Sequence, residues 1–306
     1  MAVPPVGVAT DVARPSRPAS ASMLSGVRRA LRRNHAAKVA LGVLVLVVVV
    51  GVFAPLITPH DPNAQHLDLK LRPPFWDQGH QPGYLLGTDK LGRDVLSRII
   101  YGTRISLLVG ISATLLSGVV GTAIGVLSGY YRGWREQILM RLADIQLAFP
   151  SILLALAIIA VLGPSMWMLI LVLGLTGWVS YARVVRAEVL SLRSREFVVA
   201  ARAIGDNDRQ IMVRHLLPNI TAPLMTIGTL QVAAMIVAEA SLSYLGLGVP
   251  PSIPTWGGML ADGQLYLRSA WWIAVFSGVA IMLTTLAINV TGDMLRDVAD
   301  PKAYKR

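Results

Sequence analysis

Two carboxylates, Asp144 and Glu239, lie in or beside long apolar runs, and an ionisable group at membrane depth must face a cavity or a partner. Paired acids can shuttle protons or hold a cation, but these two sit on different runs and no spacing brings them together. Glu239 is followed by ASLSYLGLGVPPSIPTWGG, in which Gly246, Gly248, Pro250, Pro251 and Pro254 break regular helix. The expectation is a helix end that folds into a compact outer loop, with Glu239 accepting hydrogen bonds from amides or hydroxyls. Structural bracing and a place on a permeation path are both open for it. A second polar group, Asp89, Arg93, Asp94 and Arg98, stands with the turn glycines Gly87 and Gly92 just ahead of another apolar run. Its charges either brace the loop against the helices or receive an external partner.

The commoner catalytic signatures are missing. The chain has no G-x-x-x-x-G-K-[ST] phosphate loop, no H-E-x-x-H and no G-x-S-x-G. His60, His66 and His80 share one loop, but their spacing matches no compact metal site and the chain has no cysteine. No catalytic residue, metal or cofactor is therefore expected, and the energy for any uphill transport must come from an ion gradient or from an ATPase on another chain.

The segment Arg193 to Pro218, RSREFVVAARAIGDNDRQIMVRHLLP, is the most informative stretch. Arg195, Arg202, Arg209 and Arg214 keep it out of lipid, whereas Phe197, Ala200, Ala201 and Ile204 recur at helical spacing and predict one small apolar face. Gly205-Asp206-Asn207 reads as a helix stop followed by a new N-cap, which predicts two short helices at an elbow. Such a face on a membrane protein's aqueous side suits a soluble partner; an ordinary basic loop is the plainer alternative. Arg195, Arg202 and Arg209 are expected on the opposite, solvated side.

The elements that position these residues must cross a bilayer. Of the 306 residues 54% are hydrophobic and only 15% charged, too apolar for an ordinary soluble domain. A hydrocarbon core of ~30 Å needs about 20 apolar residues in helical form. Six runs satisfy this: Val39 to Ile57, Ile105 to Gly129, Ile145 to Leu162, Ser165 to Ala182, Ile220 to Ala238 and Ala270 to Gly292. The expected fold is an all-α membrane protein of six transmembrane helices. Small residues in the second run, among them Gly110, Gly118, Gly121 and Gly125, predict close helix packing, with Gly121 and Gly125 as a small-xxx-small pair.

Charge placement gives orientation. The net charge of +11 is spread so that 21 of the 28 Lys and Arg residues fall before the first run, near Arg132 to Arg141, between Arg183 and Arg214, or after Asp293. The positive-inside rule then places both termini in the cytoplasm and accounts for the charge without nucleic acid. Residues 1–22 read as disordered, and Met23 to His35 as a basic amphipathic stretch suited to anionic lipid. The expected divisions are a cytoplasmic tail at 1–37, a first helix and long outer loop at 38–101, a five-helix unit at 102–295 and a second cytoplasmic tail at 296–306.

These residues resemble the permease subunits of bacterial ATP-binding-cassette importers, specifically the C-type subunit of the dipeptide, oligopeptide and nickel group. The signature of such subunits runs E-A-A, three residues, G, nine residues, I-x-L-P. Ala200, Ala201, Gly205, Leu217 and Pro218 match it, while Val199 stands in place of the Glu and His215 in place of the Ile. LLGTDKLGRDVLSR, EASLSYLGLGVPPSIPTWG and GDMLRDVADPK carry the likeness to the C-terminus. The resemblance implies a type I importer fold and a non-catalytic permease in the bacterial inner membrane. It further implies a second homologous permease, two cytoplasmic ATPase subunits, an extracytoplasmic solute-binding protein, and docking of an ATPase at the elbow. Peptide is the leading cargo by this resemblance, with nickel, glutathione or another small solute as alternatives. A secondary transporter is the rival class, although the two halves of the chain show no repeat of the kind many such proteins carry.

Overall fold

In lipid every backbone polar group must find its partner inside the chain, and each long apolar run is accordingly helical. The computed structural model describes Leu31 and residues 34–299. The tail expectations for residues 1–22, most of Met23 to His35 and residues 300–306 lie outside the described residues.

Helix α1 (His35–Ile57) starts where the Asn34 side chain accepts from the amides of Ala36 and Ala37, and it keeps Pro55 in its last turn. Helix α2 (Val95–Tyr131) is capped by Asp94, which accepts from the Ser97 amide. Helices α3 (Gly133–Leu147) and α4 (Ser151–Leu162) follow. Next come α5 (Met166–Arg193) and the short α6 (Glu196–Ala203). The long helix α7 (Asp208–Tyr244), the short α8 (Trp256–Gln264) and finally α9 (Trp271–Ala299) complete the order. Among the described residues the only β feature is an isolated bridge between Thr88 and Asp94.

Five helices are long and apolar enough to span a membrane, α1, α2, α5, α7 and α9. The expected third span, Ile145 to Leu162, is not one straight helix. Its two parts fall in α3 and α4, whose axes bend by 84°. Pro150 causes this: it has no amide to donate and it disfavours helical geometry at Phe149. Helix α2 also runs through residues 101 and 102, so no structural division falls at that expected boundary. The spans overrun their apolar runs because polar end turns are free to continue into water. At 37 residues α2 is about 55 Å long, well beyond the ~30 Å of hydrocarbon.

Helices α2 and α5 form the tightest seam. Gly121, Gly125 and Gly129, one turn apart on α2, face Trp178, Ala182, Val185 and Val189 of α5. A Cβ at Gly125 would lie 2.6 Å from the Val185 Cβ, and one at Gly129 would lie 2.9 Å from that of Val189. The predicted small-xxx-small pair is thus a true backbone approach. Val109, Leu169, Leu173, Met235 and Leu242 bring α7 onto this pair in the central core. Helix α1 leans on α2 and α9 and leaves Leu46, Val52 and Leu56 exposed on its outer flank.

Candidate coupling site

The elbow begins where α5 ends. Helix α6 closes with a complete pair of reverse-turn bonds, Gly205 N–H to the Arg202 carbonyl and Asp206 N–H to that of Ala201. Gly205 takes φ +97°, the left-handed geometry this helix stop requires. The chain restarts at Asn207, whose side chain accepts from the Gln210 amide at 2.9 Å while the Gln210 side chain accepts from the Asn207 amide at 2.9 Å. The stop and new cap read from Gly205-Asp206-Asn207 are both present.

Below this capping box the chain departs from regular α-helix. Ile211–Leu216 winds as π-helix and Leu217–Ile220 as 3-10 helix before regular winding resumes at Thr221. Pro218 has no amide to donate in this stretch. Side chains satisfy part of the freed backbone: Asn219 donates to the His215 carbonyl at 2.7 Å and the Thr221 hydroxyl to that of Pro218 at 2.9 Å. His215, one of the two departures from the signature, pairs with Asp206 at 2.8 Å and ties the irregular stretch back to the bend.

The two sides of α6 differ from the expectation in one respect. Phe197, Ala200 and Ile204 face outward with Gly205, and Ile204 is 82% exposed. Ala201 does not join them: it is buried, as is Val198, which packs inward with Val126, Val189, Ile211 and Ile220. In a helix of two turns with apolar residues on both sides, spacing alone leaves the inner side ambiguous. Leu217 and Pro218, beyond the bend, are exposed.

Arg202 is exposed, as expected, and is also engaged. It donates to the Tyr130 hydroxyl at 3.1 Å, and that hydroxyl donates to Asp208 at 2.6 Å. The guanidinium groups of Arg193 and Arg202 both lie about 6 Å from the Tyr130 ring centroid. The last turn of α2 is therefore latched to both limbs of the elbow, a contact that sequence reasoning missed because Tyr130 lies far from it in the chain.

The other candidate residues sit elsewhere. Glu239 is fully buried and accepts from Ser106 of α2 at 2.9 Å and Ser243 of α7 at 2.7 Å. Asp144 is exposed and pairs with Arg183 at 2.7 Å, so the two acids serve different contacts. Asp89, Arg93 and Asp94 lie at the opposite end of α2 from the elbow, and all three are buried. Asp89 binds Arg93 at 2.6 Å and lies 3.6 Å from Arg98, while Asp262 of α8 takes Lys90 at 2.6 Å. The Trp272 indole of α9 donates to the Thr88 carbonyl. These charges knot the loop to α2, α8 and α9. His60 stacks on Tyr84, and no cluster with metal-binding geometry occurs among the described residues.

Residues 121–305 match the family described as "Binding-protein-dependent transport system inner membrane component", and residues 22–74 match "N-terminal TM domain of oligopeptide transport permease C". The chain is 43% identical to the "Di/tripeptide transport system permease protein DppC" of Pseudomonas aeruginosa, covering 85% of this chain and 86% of that one. It is 42% identical to the "Dipeptide transport system permease protein DppC" of Escherichia coli K12, over 89% and 90% of the two chains. Among solved structures, the methionine ABC transporter MetNI in an inward-facing conformation shares the fold at a TM-score of 0.55. The identity is 19%, over 66% of this chain and 96% of the other. A family match over more than half of the chain and relatives above 40% identity along most of its length show that the chain belongs to the binding-protein-dependent transport system inner membrane components and is a multi-pass permease subunit of an ATP-binding-cassette importer.

Proposed function

We propose that this permease forms half of an import pathway for peptides and that its elbow is where a separate ATPase subunit docks. The cargo is taken from the relatives, which are named as dipeptide and di/tripeptide permeases. The proposed assembly has a second homologous permease, two cytoplasmic ATPase subunits and an extracytoplasmic solute-binding protein. Both termini and the elbow lie in the cytoplasm, in keeping with the concentration of Lys and Arg there. In this reading residues 102–295 carry the pathway, 1–37 and 296–306 are cytoplasmic tails, and the knotted loop within 38–101 faces outward.

The observation that carries the docking proposal is the division of labour on α6. Val198 and Ala201 anchor it inward, while Phe197, Ala200 and Ile204 remain uncovered. Large apolar side chains held out at the end of a bundle suit a partner's groove. ATP binding draws the two ATPases together, moves the elbow and rocks the helices outward; hydrolysis resets them.

Ile204→Asp tests this, because the side chain is 82% exposed and supports nothing within the chain. The variant is expected to reach the membrane at the normal level, to lose co-purification with the ATPase and to lose ATP-driven uptake. Undiminished uptake would remove the elbow from the docking role. Gly205→Trp adds a harsher version, since any side chain is strained at its positive φ.

A further inference from the structure

A small cavity of about 200 Å³ opens between α4, α5 and α7, and hydroxyl and amide side chains gather in its lining. Ser151, Thr176, Ser180 and Gln231 meet there from three helices. Ser180 lies one turn before Arg183, towards the cytoplasmic end of the apolar run in α5, and Gln231 near the middle of the regular part of α7. Ser151 arrives at this level because the 84° break puts the start of α4 there. Thr176 spends its hydroxyl on the Leu173 carbonyl of its own helix, at 3.2 Å. Among the described residues the other three side chains have no hydrogen-bond partner; Ser151 and Ser180 are exposed and Gln231 is half-buried.

Unpaired amide and hydroxyl groups facing hydrocarbon carry a large desolvation penalty. The remaining lining keeps the space open: Ala155, Ala234 and Ala238 are small, and Gly177 has no side chain beneath the Gln231 amide. A Cβ at Gly177 would lie 3.0 Å from Gln231 Nε2. The cavity therefore presents donors and acceptors in the cytoplasmic half of the spans with no ionisable group in its lining.

We infer that Gln231, Ser180 and Ser151 line the translocation pathway and hydrogen-bond the backbone of the passing peptide. This rests on the peptide reading above and names the residues that would serve it. A peptide's amide is constant while the charge of its side chains varies. A neutral amide with flanking hydroxyls pairs with the constant part and discriminates little among the rest. The same lining offers no carboxylate, imidazole or thiolate to a metal ion.

The chain has no cysteine, so a single thiol can report on this position. Gln231→Cys would be placed in the assembled complex in proteoliposomes and treated with a charged, water-soluble methanethiosulfonate, with modification read on this chain by mass. Modification in at least one nucleotide state, slowed during turnover with dialanine, is expected. In parallel, Gln231→Leu is expected to raise the ATP hydrolysed per labelled dialanine imported by on the order of tenfold, the loss of one buried hydrogen bond. A thiol at position 231 that is unreactive in every nucleotide state would place the patch against the second permease or lipid and overturn the inference. So would an unchanged ratio of ATP to dialanine in Gln231→Leu. If the unaltered complex imports no dialanine, the cargo reading falls, and labelling at position 231 still decides whether the patch lines the pathway.

Discussion

Glu239 is held in place as the common acceptor for two hydroxyls, Ser106 on α2 and Ser243 on α7. Glu239→Ala leaves both donors without an acceptor in a sealed site, whereas Glu239→Gln keeps a carbonyl for one of them. The alanine variant is expected to lose about 1–2 kcal/mol of stability, the upper range for polar contacts between membrane helices, and the glutamine variant less. Thermal unfolding in detergent would show the order, and equal losses would contradict it. Tyr130 makes a different kind of contact, holding Arg202 and Asp208 on either side of the bend. Tyr130→Phe keeps the ring and removes both bonds. Uptake per ATP is expected to fall several-fold in this variant while its level in the membrane is kept, and an unchanged ratio would make the latch merely structural. Neither contact could be read in full from sequence. The acid at Glu239 announced a need for hydroxyl or amide donors, but only the fold brings Ser106 to it from 133 residues away.

At the scale of elements, the α2 and α5 seam sets how closely two backbones approach. Gly125→Ala pushes a methyl into the Val185 side chain and is expected to cost about 1–3 kcal/mol, as overpacking does. Gly42→Ala on α1 meets nothing within 4 Å and is expected to hold or slightly raise the thermal midpoint, alanine being the better helix former. A midpoint that moves equally in both variants would argue against the seam. This contact was legible beforehand because a four-residue glycine spacing has one simple geometric use. The elbow was legible for the same reason, from a glycine followed by a capping residue. The break in the third span was not, since hydropathy averaged over a span's length stays high through Pro150 and only the backbone chemistry of proline interrupts the helix. The inward turn of Ala201 was hidden too, because neighbouring Val198 and Val199 make both sides of α6 apolar.

At the scale of the whole molecule, charge ordering predicts which end meets which compartment. Single cysteines at exposed Leu85 and Trp134 would label from opposite sides of the membrane. An impermeant reagent on intact cells is expected to reach Leu85→Cys at once and Trp134→Cys only after the membrane is opened; the reverse order would invert the topology. Between those two ends α2 is unbroken. One tip is gripped by the buried Asp89, Arg93 and Arg98 knot, the other by Tyr130 at the elbow. Pivoting about its centre, a rod of about 55 Å swings its two tips in opposite directions, by about 5 Å each for a tilt of about 10°. A see-saw of this kind has no setting in which both tips move inward together, so rigid tilt of α2 would drive the outer knot and the elbow in opposite senses without any signal passing from one to the other.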